Sequence, residues 1–118
     1  MDIKASRYLI EHLDKPALLN AEREWLNFRE GVDISHIYEE ADKGCSAAFL
    51  RYAPGASVPK HQHMGYEHIL ILDGEQSDEN GVYSAGMLLV HGKESTHQVY
   101  SEKGCLALAI WQHPVEFF

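Results

Sequence analysis

Residues 55–74 read Gly-Ala-Ser-Val-Pro-Lys-His-Gln-His-Met-Gly-Tyr-Glu-His-Ile-Leu-Ile-Leu-Asp-Gly, and they carry most of the information about the fold. On a β-strand, side chains two positions apart point to the same face, so His61 and His63 project together. Gly65 permits a turn after them. Glu67 then opens a second, strongly apolar strand, and an antiparallel arrangement would return its carboxylate to the two imidazoles. A β scaffold thus obtains three metal-type ligands from seven residues.

A fourth ligand has to come from elsewhere in the chain, and His97 is the best placed of the remaining histidines. It begins a strand one β-meander later, after a turn-like segment over residues 92–96. His91 lies near the expected barrel mouth, where neighbours of metal-bound histidines are common, but we leave it outside the predicted ligand set. His12, His36 and His113 are interpreted as surface or core residues, and His68, which should face away from Glu67, as a surface residue or a neighbour of the site.

The rest of the chain is divided into short segments by four prolines and nine glycines. After Gly31, short runs of apolar residues alternate with turn signals, which is typical of an all-β domain. About eight to ten short strands without a convincing long helix predict a closed barrel or jelly roll. The apolar strand after Glu67 is expected to end at Asp73-Gly74, and the acidic run over residues 73–79 is interpreted as a solvated loop. Cys105, in an apolar run, is interpreted as a buried small hydrophobic residue.

The first 24 residues are interpreted as a short N-terminal extension. The segments 7–13 and 17–28 have partly helical spacing, although residues 25–28 also fit an edge strand. At 118 residues the chain fits one domain, 1–118, with its core over about residues 25–112. A domain this small leaves apolar surface that a second copy could cover, so we expect a homodimer.

Charge and composition exclude several classes of function. Eighteen acidic against ten basic residues give a net charge of −8, and no basic stripe is present, so we expect no nucleic-acid partner. The start of the chain lacks the apolar core of a secretory signal, and no apolar run approaches a membrane span. The two cysteines have no metal-type spacing, which favours a reducing compartment. We therefore expect a cytoplasmic protein without a membrane partner.

The spacing Gly55-x5-His61-x-His63-x3-Glu67-x6-Gly74 resembles, position for position, the first conserved motif of the cupin superfamily. The resemblance implies a small double-stranded β-helix, the cupin jelly-roll barrel. In that motif the two histidines and the glutamate bind a metal, and a histidine of a second motif completes the site. Carried over residue by residue, the ligands are the ones proposed above: His61, His63, Glu67 and His97.

The second motif departs from the usual pattern. Gly92 and Glu94 stand where a proline and a glycine are usual, and Ser101 stands where an asparagine is expected. Within the superfamily the chain is most similar to the ChrR-type cupin domain, the metal-binding half of an anti-sigma factor. The similarity runs from about Trp25 to Trp111. Anti-sigma proteins of this type carry a separate helical, zinc-binding domain, for which the chain has no room, so we expect a stand-alone cupin without sigma-factor regulation.

The metal and the function stay open at this point. Imidazole with carboxylate suits Zn, Fe, Mn, Ni or Cu. Four protein ligands around tetrahedral zinc, the metal we expect first, would close the site and favour a sensor or small-ligand-binding module. Six-coordinate iron, manganese or nickel would leave room for a small-molecule substrate and allow a metal-dependent enzyme, such as a dioxygenase or an isomerase acting on a small polar metabolite. The third alternative is an interaction protein whose four side chains bind nothing.

Overall fold

The computed structural model of the chain describes residues 9–13 and 23–118. These residues form ten strands and no helix, and every strand pairing is antiparallel. The prediction of an all-β fold is therefore confirmed. The strands are β1 (Leu26–Arg29), β2 (Val32–Glu39), β3 (Ser46–Tyr52), β4 (Ala56–Gln62), β5 (Glu67–Asp78), β6 (Gly81–Ser84), β7 (Leu88–His91), β8 (Thr96–Ser101), β9 (Cys105–Trp111) and β10 (Glu116–Phe117).

The strands form one curled sheet in the order β1-β2-β3-β9-β5-β8-β4-β10, with β6 and β7 paired to the free edges of β5. The long strand β5 joins the two sides of the barrel. Its first half lies between β9 and β7, and its last residues lie between β6 and β8. Both sides therefore meet along β5, whose first and last residues are the acidic Glu67 and Asp78.

The strand β5 continues through Asp73-Gly74, so the predicted strand end at that point is wrong. A register shift between Ile71 and Asp73 interrupts the ladder with β9, and Gly74 has a φ of 73°, a conformation that glycine adopts without steric cost. A Cβ at this position would overlap the carbonyl oxygen of Gly104. Glycine thus lets β5 bend and continue, and the acidic run that follows belongs largely to a strand instead of a solvated loop.

The edge-strand interpretation of residues 25–28 is confirmed, because β1 occupies one edge of the sheet. The helical alternative finds no support in residues 9–13 or 23–28, which contain no helix. The remainder of the segments 7–13 and 17–28 lies outside the described residues.

Two apolar clusters stabilise the barrel. The larger one fills the interior with the inward-facing residues of most strands, among them Leu50, Ile71 and the predicted buried residue Cys105. Burial raises the pKa of the Cys105 thiol to about 11, as expected for a cysteine in an apolar setting. The smaller cluster lies on the outer face of the sheet, where Phe49 and Leu106 are covered by Ile10, Leu13 and Trp25 together with neighbouring strand residues.

No helix in the described part of the chain is both long enough and apolar enough to cross a membrane.

A pair of glycine substitutions tests the role of the bend in β5. Gly74 and Gly86 both have positive φ, but a Cβ at Gly86 would meet nothing within 4 Å. We expect Gly86→Ala to lower the free energy of unfolding by about 1–2 kcal/mol, the cost of the left-handed conformation alone. Gly74→Ala should cost clearly more, because it also overlaps the Gly104 backbone. Urea denaturation measures both, and equal losses would contradict this account of the bend.

Candidate metal centre

Strand register places His61 beside His97. In the pairing of β4 with β8 the two residues lie directly opposite each other, and their ring centroids are 4.6 Å apart. Directly opposed residues of an antiparallel pair share one face of the sheet, so both imidazoles enter the barrel. Both residues are buried. The β4–β8 ladder therefore supplies two of the four predicted ligands.

A second register places Glu67 at the centre of the site. Glu67 begins β5, where it lies opposite His91 on β7 and opposite Trp111 on β9. The indole N–H of Trp111 donates a 2.5 Å hydrogen bond to Oε2 of Glu67. One carboxylate oxygen is thereby held by the indole, and Oε1 is left to face the histidines.

His63 lies just beyond β4 and is fixed by its backbone. Its N–H donates to the carbonyl oxygen of Ser95, and its own carbonyl accepts from the N–H of Glu94, at 2.9 and 2.7 Å. This pairing continues the β4–β8 ladder past its assigned end, so the side chain of His63 faces the same interior as that of His61. The two-residue spacing that predicted this shared face is therefore confirmed.

The side chains converge on Oε1 of Glu67. Nε2 of His63 lies 3.0 Å from this oxygen, and Nε2 of His97 and of His91 each lie 3.9 Å from it. The donor atoms of His61, His63 and His97 lie within 4.8 Å of one another, and so do those of Glu67, His91 and His97. The structure thus brings the four predicted side chains into one buried cluster and adds His91 to it.

Acceptors on the outer side of the rings set the tautomers of His61 and His63. Nδ1 of His61 lies 2.8 Å from the carbonyl oxygen of Pro59. Nδ1 of His63 lies 2.8 Å from Oγ of Ser95, whose hydroxyl in turn donates to the carbonyl of Gly92 at 2.6 Å. Because these oxygens accept, each neutral ring carries its proton on Nδ1. The Nε2 lone pairs are then free toward the cluster, as metal ligation requires.

The third ring, that of His97, is oriented by a carboxylate. Nδ1 of His97 lies 3.2 Å from Oδ2 of Asp78, at the end of β5, and the side chain of Asp78 is only 3% exposed. The other oxygen of Asp78 accepts from the Tyr83 hydroxyl and from the Asn80 amide, each at 2.8 Å. Burial alone would raise the pKa of Asp78, but these two donors and His97 hold it below its usual value. The ionised Asp78 therefore keeps the proton of His97 on Nδ1.

The charge states in the cluster suit a cation. Burial lowers the pKa of His61, His91 and His97 below the ordinary histidine value, so these rings are neutral at pH 7. Burial would raise the pKa of Glu67, but the neighbouring His63 and His97 and the Trp111 indole together lower it, so the carboxyl is ionised. Neutral imidazoles around one carboxylate form a donor set that divalent metals of the zinc and iron type accept.

The buried polar atoms without a hydrogen-bond partner indicate whether a metal ion fits the histidine–glutamate cluster. Among the described residues, three buried polar atoms of the cluster lack a hydrogen-bond partner: Nε2 of His63, Oε1 of Glu67 and Nε2 of His91. A buried polar atom left in this state costs about 1–3 kcal/mol. Nε2 of His63 and Nε2 of His91 lie 3.0 and 3.9 Å from Oε1 of Glu67, so one cation beside that oxygen would satisfy all three atoms. The residues present therefore fit a divalent ion.

A small chamber of about 30 Å³ lies beside the cluster, inside the barrel. This volume holds a water molecule or two and no metabolite. Tyr52, Trp111 and the buried amide of Gln76 line the chamber. Two other large side chains near the motif, Tyr66 and Met87, are exposed and do not contribute to it. An outer groove of about 390 Å³ shares part of its wall with the chamber: Phe28, Trp111, Val115 and Phe117.

Two residues of the site were not assigned to it from the sequence. Asp78 falls within the acidic run that is interpreted as solvated, and His91 lies outside the predicted ligand set. The other histidines without a motif lie away from the cluster: His12, His36, His68 and His113. No local pattern identifies either residue, because His91 is placed by its pairing with Glu67 and Asp78 by the far end of the same strand.

Comparison with known proteins agrees with this fold. The ChrR cupin-like domain family matches residues 16–115. The anti-sigma-E factor ChrR of Cereibacter sphaeroides is 35% identical over 77 residues, which are 63% of this chain and 36% of that protein. The chain therefore matches little more than a third of that relative's length.

Solved structures show the same fold. The structure of Rhodobacter sphaeroides SigE in complex with the anti-sigma ChrR superposes with a TM-score of 0.69 and 26% identity, covering 78% of this chain and 50% of that one. An acetylacetone dioxygenase from Acinetobacter johnsonii superposes with a TM-score of 0.75 at 14% identity, covering 100% of this chain and 85% of that one. The second likeness shows the fold alone. With its barrel, its motif and the family match over most of its length, the chain belongs to the ChrR cupin-like domain family.

Proposed function

We propose that this protein binds one divalent metal ion on His61, His63, Glu67 and His97 and acts as a sensor or small-ligand-binding module. The observation that carries the proposal is the outer hydrogen bonding of the three histidines. Each ring meets an acceptor at Nδ1 and turns Nε2 toward Oε1 of Glu67 or toward the other rings. A cluster kept only for packing has no need of three rings in the same tautomer.

Zinc is the first candidate for the ion. Zinc accepts imidazole and carboxylate in a tetrahedral set, and four protein ligands would close its coordination. The chamber beside the cluster is too small for a metabolite, which agrees with a closed site. In a closed site the ion stabilises the barrel, and its loss or replacement becomes the signal.

A small metal-dependent enzyme is the second candidate, and one observation favours it. The chamber next to Glu67 holds two buried polar side chains, Tyr52 and Gln76, which could orient a small polar substrate. Only a wall containing Phe28 and Phe117 separates the chamber from the larger groove, so displacement of these rings would join the two volumes. The fold is shared with an acetylacetone dioxygenase, although the same barrel supports many activities.

We also propose that the barrel pairs with a second copy of itself through the outer face of β7, β5 and β9. Val90 and Ile110 both lie opposite His68 in register, and Leu88 extends the same face. The three apolar side chains are 40–60% exposed. The patch carries no acidic or basic side chain other than His68, in a chain with a net charge of −8. An uncharged apolar face is self-complementary, so two copies can meet there across a two-fold axis without bringing acidic groups together.

Metal content separates the binding proposal from a barrel that binds nothing. Protein purified without added metal or a histidine tag should contain about one divalent ion per chain, measured by inductively coupled plasma mass spectrometry. His61→Ala should lose most of it, because one of four donors is gone. His36→Ala is the matched control, since His36 lies on β2 away from the cluster, and should retain the ion. Equal metal content in both variants, or none in the wild type, would refute the site.

Turnover decides between the sensor and the enzyme. If the protein is a dioxygenase, iron-loaded protein should consume oxygen with a compact polar substrate such as a β-diketone, and His61→Ala should abolish the uptake. If the protein is a sensor, we expect no oxygen uptake and no substrate loss across a metabolite panel, although the ion is still bound. Oxygen-electrode traces with metal-free protein provide the background.

Light scattering tests the paired state. Wild-type protein should have twice the mass of one chain, and Val90→Lys should be monomeric because two like charges would meet at the interface. Val82→Lys is the control: Val82 is 61% exposed, against 56% for Val90, but it lies on β6 outside the patch. A monomeric wild type, or dimers of equal strength in both variants, would show that this face is not the interface.

A further inference from the structure

We propose that His91 is a fifth protein donor to the ion, so that the centre contains four histidines and one glutamate. The inference rests on the proposed function, because it requires an ion already held by the other four side chains. It changes the expected coordination, and with it the class of metal and the space left for a ligand. The evidence is the position, burial and missing partner of one nitrogen atom.

The position follows from strand register. His91 closes β7 directly opposite Glu67, so its ring enters the barrel on the same face as the carboxylate. Nε2 of His91 lies 3.9 Å from Oε1 of Glu67, the same distance as Nε2 of His97. Glu67, His91 and His97 form a triplet of donor atoms within 4.8 Å of one another. By distance to the carboxylate oxygen, His91 is placed as well as one of the motif histidines.

The surroundings of His91 leave its Nε2 without another role. The side chain is 15% exposed, and Nε2 is buried and has no hydrogen-bond partner among the described residues. Its ring stacks on that of His63, with centroids 4.8 Å apart and planes 16° apart, and it is tilted against that of His97 at 4.4 Å. A histidine wedged between two candidate ligands, with its nitrogen unpartnered and aimed at the same oxygen, has the surroundings of a ligand.

His91 could instead be a positioning residue that donates a hydrogen bond to Glu67 and orients the carboxylate without contacting the ion. The 3.9 Å separation of Nε2 and Oε1 is beyond hydrogen-bond distance. Oε1 also lies 3.0 Å from Nε2 of His63. The 3.9 Å gap between His91 and Glu67 is wide enough for an ion that contacts both atoms at roughly 2.0–2.2 Å.

Five protein donors exceed the four of a tetrahedral zinc site. An ion that accepts six donors, such as iron, manganese, nickel or cobalt, would use all five and keep one position for water or a small ligand. The one remaining position would face the small chamber beside the cluster, lined by Tyr52 and Gln76. A ligand of that size is water, hydroxide or a diatomic molecule.

Cobalt(II) is the probe for the test, because its visible spectrum reports coordination number. The full chain loaded with cobalt should show the weak bands of a five- or six-coordinate ion. His91→Phe keeps an aromatic ring but removes the donor, so its bands should strengthen toward the four-coordinate pattern. Its cobalt affinity, measured by chelator competition, should fall by at least the roughly 10–100-fold known for weaker perturbations of metal sites. His36→Phe, at a histidine on β2 away from the cluster, is the control and should match the wild type.

The outcomes separate this inference from the proposed function. A weaker affinity with an unchanged spectrum would overturn the inference and make His91 a positioning residue. Unchanged affinity and spectrum would also overturn it, while cobalt binding would still support the site. Absence of cobalt binding in the wild type would overturn both. Should His91→Phe fail to fold, X-ray absorption of the cobalt-loaded wild type decides, since four coordinated imidazoles support the inference and three contradict it.

Discussion

The antiparallel pairing of β5 with its neighbours determines the rest of the site. Glu67 lies between His91 and Trp111 because β5 is paired with β7 on one side and β9 on the other. The same strand ends at Asp78, which reaches His97. One strand of twelve residues therefore holds the central carboxylate at its start and the orienting carboxylate at its end. A slip of one residue would turn every side chain on β5 to the opposite face, so the hydrophobic core and the site depend on one register.

This arrangement brings together groups that cost free energy to bury. Four imidazoles and a carboxylate leave solvent, and three of their polar atoms have no partner among the described residues. Interiors normally avoid such atoms. Binding of a cation would compensate the cost, which links the stability of the barrel to the occupancy of the site. The outer acceptors at Nδ1 hold the three motif histidines with Nε2 turned inward. Burial is what disfavours a proton there, because it lowers the pKa of His61, His91 and His97.

The sequence predicts the local part of this site and misses the long-range part. The pair His61 and His63 follows from the two-residue period of a strand, and Gly65 indicates the turn before Glu67. The family resemblance then identified the cupin barrel, which the structure and the comparisons confirm. Asp78 and His91 could not be placed in this way, because both depend on which residue faces which across β5. That register includes the shift near Ile71 and Asp73, which no local pattern announces.

In the proposed centre, the four motif side chains share one ion through the Nε2 nitrogens and the Glu67 carboxylate. Anomalous diffraction from crystals of metal-loaded protein, collected at the absorption edge of the ion, tests this most directly. We expect one strong peak at roughly 2.0–2.2 Å from Nε2 of each motif histidine and from Oε1 of Glu67. A peak elsewhere on the molecule, or histidine rings rotated so that Nδ1 faces the interior, would contradict it.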